Sequence, residues 1–390
     1  MSFDTTASNT GSEKGACNLL EEKLGKELLN LACRHHITEI VAGSVFKIYF
    51  PTTSGPDVAI FIRFKQAWKN IKKDDFSPTV QDEEAERYLS NVSIEKKSSK
   101  INYLKKCLQD SQPRDDYKEL LELCLIYLGE QPPSGIRFKA PGAFHHARWM
   151  AKLIYSIKIW LFRDQFKMVQ HELNAVRDIS MFAALIYVRQ WFTAPLSASA
   201  PFNDLDFLKN IEEYREMNEN IATAATKAMK RHLWYLSEEL ISLAFFSDDV
   251  EIEVKRKMIT ALQRQCVDNN RPSKKLAGIT NVMSKSLEDF VTCKSLSFFN
   301  FLNIDISFLE EDPSNWKNNE SYADSKEVVK SLKVVNDCAE RGVKLVQDFN
   351  AVLTKDEEQQ KYVLNLVAEN RAVLPDAKKS TLSAKQTRRQ

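Results

Sequence analysis

The first 36 residues constrain the fold more than any other stretch. A short apolar run ends in Phe3-Asp4 and opens at once into the Ser/Asn/Gly-rich turn Thr5-Thr6-Ala7-Ser8-Asn9-Thr10-Gly11. A helix-length stretch follows, roughly 12–26, with Ser12 as its N-cap, Leu19, Leu20 and Leu24 as an apolar stripe, and Gly25 as its stop. The chain then enters a second apolar run, Leu28 to Cys33, which closes in Cys33-Arg34-His35-His36. A short continuous apolar run of this kind suits a buried parallel strand. Strand, helix, strand places Asp4 and the Cys33/His36 cluster at the same ends of two neighbouring parallel strands. Open α/β sheets put their sites there.

The rest of the chain reads as helix. Ten glycines and 12 prolines in 390 residues give too little turn punctuation for a β-rich body. Ile37, Ile40, Val41, Val45 and Ile48 recur at helical spacing, as do Leu120, Leu123, Cys124, Ile126 and Tyr127. A polar stretch between them, 74–100, reads as a connection with one exposed helix, and 131–142 as a linker. From about 145 to 162, Trp149, Met150, Leu153, Ile154, Ile157, Trp160 and Leu161 follow the 3.6-residue period. More helices are expected over 168–266. Residues 270–323 read as irregular, with Phe298, Phe299, Phe301 and Leu302 tucked inside. A long helix is expected over 325–353 and another over 356–373. The last residues carry five Lys or Arg and no acid after Asp376, a disordered basic tail.

The formal net charge of +2 gives no global electrostatic argument for nucleic acid, so any basic surface must be local. Seven scattered cysteines, an odd number, read as reduced thiols in a nuclear or cytoplasmic protein. No stretch of ~18 apolar residues suggests a membrane span, and no phosphate loop, nucleophile elbow or nucleotide fingerprint points to a small-molecule substrate.

Four groups could carry chemistry. Asp4 either ligates a divalent cation, which needs oxygen donors, or caps its own turn. Cys33-x-x-His36 is half a zinc site by spacing. The remaining histidines, 145, 146, 171 and 232, supply no matching second pair, so a buried thiol and a hydrogen-bonded imidazole fixing the strand-to-helix junction is the other reading. Arg148-Trp149 sits on the apolar stripe of its helix, where tryptophan is usually core. Glu340, in Asp337-Cys338-Ala339-Glu340-Arg341-Gly342, lies beside an apolar stripe, with Glu239 as the rival acid.

In this order, Asp4 with its turn, Cys33-x-x-His36, Arg148-Trp149 and the Glu340-Arg341 segment resemble the motifs of hAT-type DNA transposases, which have an RNase H-like catalytic core. The resemblance implies a mostly α protein with a partial RNase H-like α/β core and a large all-α insertion. Residues 1–59 would be the partial core, 60–323 the helical insertion, 324–374 the closing helices and 375–390 the tail. It implies that Asp4 and Glu340 are catalytic carboxylates holding Mg²⁺ or Mn²⁺, and that Arg148 and Trp149 bind DNA, the indole stacking on a flipped base. Two-metal cleavage of this kind draws on three carboxylates. The family's first stands well before the second, and three residues precede Asp4 here. The expectation is therefore a transposase-derived protein without DNA cleavage activity. A domesticated helical interaction module that binds a protein or a second copy of itself, or a fragment of an active transposase from an incomplete gene model, are the alternatives.

Overall fold

The computed structural model describes residues 1–11, 15–51, 58–79, 82–90, 92–110, 112, 114–141, 150–267 and 281–336. Two strands, β1 (Ser2–Phe3) and β2 (Leu31–Ala32), pair in parallel with Ser2 opposite Leu31 and Phe3 opposite Ala32. The Leu31 amide donates to the Met1 carbonyl at 2.8 Å and the Cys33 amide to the Phe3 carbonyl at 2.7 Å. The parallel pair expected from the N-terminal segment is thus present, with a shorter second strand than the apolar run suggested. Between the strands lie α1 (Ala7–Thr10) and α2 (Ala16–Leu24). Helix α2 starts after Gly15, and the expected cap Ser12 lies outside the described residues. Gly25 ends it at φ 62°, donating back to the Glu21 and Glu22 carbonyls, a left-handed stop that suits glycine.

Everything else described is helix, turn or irregular chain. Helix α3 (Arg34–Tyr49) leaves β2 directly and packs along α12 (Glu219–Met229), whose buried Ala222, Ala225 and Ala228 let the two backbones approach closely. In chain order between them come α4 (Ala59–Ala67), α5 (Glu83–Ser90), α6 (Ile94–Cys107), α7 (Asp115–Tyr127), α8 (Met150–Leu161), α9 (Gln170–Phe182), α10 (Val188–Thr193) and α11 (Ala200–Glu213). A π-helical turn, Ala183–Tyr187, joins α9 to α10.

Helix α8 is buried almost all round, through Leu153, Ile154, Tyr155, Ile157, Ile159, Trp160 and Leu161, as a central helix must be. Even Lys158 is buried there, with its ammonium 2.5 Å from Glu119 Oε1 and donating to the Lys139 carbonyl at 2.7 Å. The stretch read as a polar connection, 74–100, carries α5 and the first half of α6 instead. A few residues at helical spacing, Ala85, Leu89, Ile101 and Leu104, are buried and suffice to dock these charged helices.

Towards the C-terminus come α13 (Ile252–Val267), α14 (Ser295–Leu302) and α15 (Glu320–Ser331). They and the 3₁₀ segment Leu240–Phe246 enclose an aromatic cluster of Phe245, Phe246, Phe299, Phe308, Trp316 and Tyr322. Phe298 and Phe299 are buried as expected, whereas Phe301 points outward at 39% exposure. The long helix expected over 325–353 ends at Ser331: Leu332 turns to extended backbone at ψ 132°. The reason is tertiary, because Val334 and Val335 are buried and the Val334 carbonyl accepts the Arg34 amide at 2.9 Å. Buried apolar residues from Phe3 to Val334 form one contiguous cluster. Among the described residues no helix is long and apolar enough to cross a membrane.

Candidate functional site

Asp4 follows β1 directly, and its carboxylate turns back over the next five residues. Oδ1 accepts from the Thr6 hydroxyl at 2.6 Å, the Thr6 amide at 3.2 Å and the Asn9 side-chain amide at 2.6 Å. Partial burial pushes this carboxyl up, but the Thr6 and Asn9 hydrogen bonds and the nearby His36 outweigh it, and the net shift is downward. The turn-capping reading of Asp4 is therefore realised in the structure. Around it lie buried polar atoms without a protein partner among the described residues, the Thr5 hydroxyl and the indole N–H of Trp234, whose ring stands edge-on to Phe3 at 5.8 Å. His232, next but one to Trp234, is pushed down to about 4 by burial, with Arg231 and His36 adding repulsion.

The Cys33-Arg34-His35-His36 segment divides its labour by direction. Cys33 is buried, and its Sγ accepts the Asn336 amide at 3.1 Å. His36, half-buried in the first turn of α3, lies near enough to Asp4 to favour its ionised form. The two residues between them go inward. Arg34 is 1% exposed, and its guanidinium meets Asp204 Oδ1 through Nε at 3.2 Å and Nη2 at 2.6 Å. Its Nη1 donates to the Thr193 and Ala194 carbonyls at 2.8 and 2.9 Å. His35 stacks on Trp191 with centroids 4.0 Å apart and bonds the Trp191 carbonyl through Nε2 at 3.1 Å. Tyr235 closes the junction by donating to the Ala32 carbonyl at 2.6 Å. Arg34, His35, Asp204, Trp191 and Tyr235 were not singled out in the sequence. Their one signal was a charged pair, Arg-His, embedded at an apolar strand-to-helix junction.

Arg148, Trp149 and Glu340 lie outside the described residues. The rival acid Glu239 stands at the position before the 3₁₀ segment Leu240–Phe246 without a side-chain capping hydrogen bond, and its neighbour Glu238 stands 3.5 Å from the Lys294 ammonium. The structure thus brings together Asp4, Cys33 and His36 at one end of the strand pair, with the segment 332–336 alongside. Among the described residues no group of three His, Cys, Asp or Glu side chains could hold a metal ion. With Asp4 Oδ1 taken by three donors, the described residues do not by themselves fit the Mg²⁺ or Mn²⁺ pair that the transposase resemblance implies, nor a closed zinc site at Cys33 and His36. No family model, curated protein or solved structure matches this chain.

Proposed function

We propose that this chain is a hAT-like, transposase-derived protein that keeps part of an RNase H-like core as a scaffold and does not itself cleave DNA. The observation that carries the reading is the parallel pairing of β1 and β2, with Asp4 and Cys33-x-x-His36 at the same ends. The return of 332–336 to Cys33 supports it, since the segment leading to Glu340 arrives at the strand ends where the resemblance calls for an acid. In this reading the end of the sheet is held by hydrogen bonds rather than by metal. Asp4 fixes its turn, Cys33 anchors the returning chain, and Arg34 ties the sheet to the helical region. DNA is the partner, bound weakly and in the nucleus, through Arg148 and Trp149.

The test is direct. Purified protein is incubated with supercoiled plasmid and Mg²⁺ or Mn²⁺, and binding to duplex DNA is followed by fluorescence anisotropy. Binding without nicking, weakened in Arg148→Ala, is the expected result. Metal-dependent nicking that disappears in Asp4→Ala would show an intact catalytic site and favour a piece of an active transposase. A second reading, a helical interaction module, is favoured by α2, which exposes Leu19, Leu20 and Leu24 at 49%, 40% and 51%. Association in sedimentation velocity that Leu20→Glu with Leu24→Glu abolishes would favour that module.

A further inference from the structure

Between α6, the π-helical turn Ala183–Tyr187 and the 3₁₀ turn Tyr214–Glu216 that follows α11 lies a cleft of about 340 Å³. Val92, Leu185, Tyr214 and Met217 give it apolar walls. A second cavity of about 10 Å³, room for one water, shares Lys100, Ile186 and Asn210 with the cleft. Asn203, 4% exposed, lines this smaller cavity, and its side-chain Nδ2 has no hydrogen-bond partner among the described residues. Ligand pockets of about 300 Å³ and more combine apolar walls with a few placed polar groups in this way.

Lys100 borders both spaces. Its ammonium donates to the Leu185 carbonyl at 2.5 Å, within the π turn, where the Val188 amide reaches back five residues to the Ala183 carbonyl. Single π turns inside helices recur at functional sites. Among the described residues no carboxylate lies at ion-pair distance from Lys100. The other cations lining these spaces are matched, Lys96 with Glu213 at 2.7 Å and Arg189 with Asp206 at 3.9 Å. Glu216, the remaining acid of the lining, is exposed to solvent. An ammonium taken out of water without a counter-ion is costly. Burial, then Arg189, push the Lys100 amine down to about 8, with Lys96 acting the same way and Asp206 and Glu213 opposing.

One unmatched cation balances one negative charge, and apolar walls suit a ligand with a hydrocarbon body rather than a bare inorganic ion. We propose that this cleft binds a small organic monocarboxylate, with its carboxylate beside Lys100 and its apolar body against Leu185, Tyr214 and Met217. The Asn203 amide meets the carboxylate through a water in the smaller cavity, which costs little against a direct hydrogen bond. The site stands apart from the transposase reading, since it uses none of Asp4, Arg148, Trp149 and Glu340.

The experiment titrates the full chain with benzoate and with hexanoate, each against its neutral amide, benzamide and hexanamide, and follows binding by ligand-observed NMR. Wild type is expected to bind at least one carboxylate saturably, and its amide roughly tenfold more weakly, the scale of a hydrogen bond to a charged group. Lys100→Met removes the cation and keeps the length of the side chain, so the carboxylate should fall to the level of the amide. Met217→Trp, at a partly exposed position of the lining, fills the cleft and leaves Lys100 in place. It should weaken carboxylate and amide alike, and it decides the matter where Lys100→Met does not fold. Three results would each overturn the site: no saturable binding of either carboxylate to wild type, amides bound as tightly as carboxylates, or Met217→Trp binding as wild type does.

Discussion

Arg34 Nη2 lies 2.6 Å from Asp204 Oδ1 across 170 residues of sequence, with both side chains shielded from water. The pair joins the residue after β2 and Cys33 to α11, in the heart of the helical region. Gln190 adds its side-chain amide to the same Asp204 oxygen at 2.8 Å, and the guanidinium holds the carbonyls at the end of α10. The strand pair is therefore anchored to the helices by one fully engaged cation.

Removing either partner leaves the other buried and uncompensated. Arg34→Met is expected to destabilise the protein by about 3–5 kcal/mol in denaturant unfolding. The double variant Arg34→Met, Asp204→Leu should recover much of that loss, since neither charge then remains. A double variant as unstable as the sum of its singles would show that the pair is not coupled.

Asp4→Ala removes three hydrogen bonds that tie the turn after β1 and should cost about 1 kcal/mol, as loss of a helix cap does. Because the folded state holds this carboxyl below its ordinary value near 3.8, its contribution is present above that pH and lost as the pH falls through the folded value. Wild type and Asp4→Ala should accordingly converge in stability in strong acid. A gap between them that stays constant from neutral pH to pH 2 would contradict this account of the turn.

His232 gives the opposite kind of residue the same acid sensitivity. Burial, then Arg231 and His36, lower it from 6.5 to about 4. Above 6.5 the ring is neutral in both states and stability is complete. As the pH drops from 6.5 towards 4, the unfolded chain takes up a proton that the folded chain refuses, and stability declines. His232→Asn should flatten the loss of stability between pH 7 and pH 5. An unchanged slope would place the acid sensitivity elsewhere.

Strand β1 has one hydrogen-bonded neighbour among the described residues, and each strand is two residues long. Edge strands of that length open readily. Hydrogen exchange at Leu31 and Cys33 should run faster than at residues 153–161 of α8, which lie inside the core. Equal protection at both places would mean that the strand pair opens only with the whole molecule.

Local pattern was enough for much of this architecture. Alternation of turn, helix and apolar run placed both short strands and made them parallel, because a helix between them must return the chain to the same edge. Helical periodicity placed α3, α7 and α8, whose apolar residues repeat with the period of the backbone itself. Cys33 is buried at the junction, where one of its two sequence readings placed a buried thiol, as a thiol in an apolar run usually is.

Tertiary structure decided what periodicity cannot encode. The charged stretch of α5 and α6 became docked helix because neighbours offered cover for a few apolar side chains. The helix after Glu320 stopped at Ser331 although its pattern ran on, because Val334 and Asn336 found backbone and sulfur partners beside Cys33. The inward roles of Arg34 and His35 depended on Asp204 and Trp191, more than 150 residues away. In each case the deciding group is distant in sequence, so only the folded chain brings it into range.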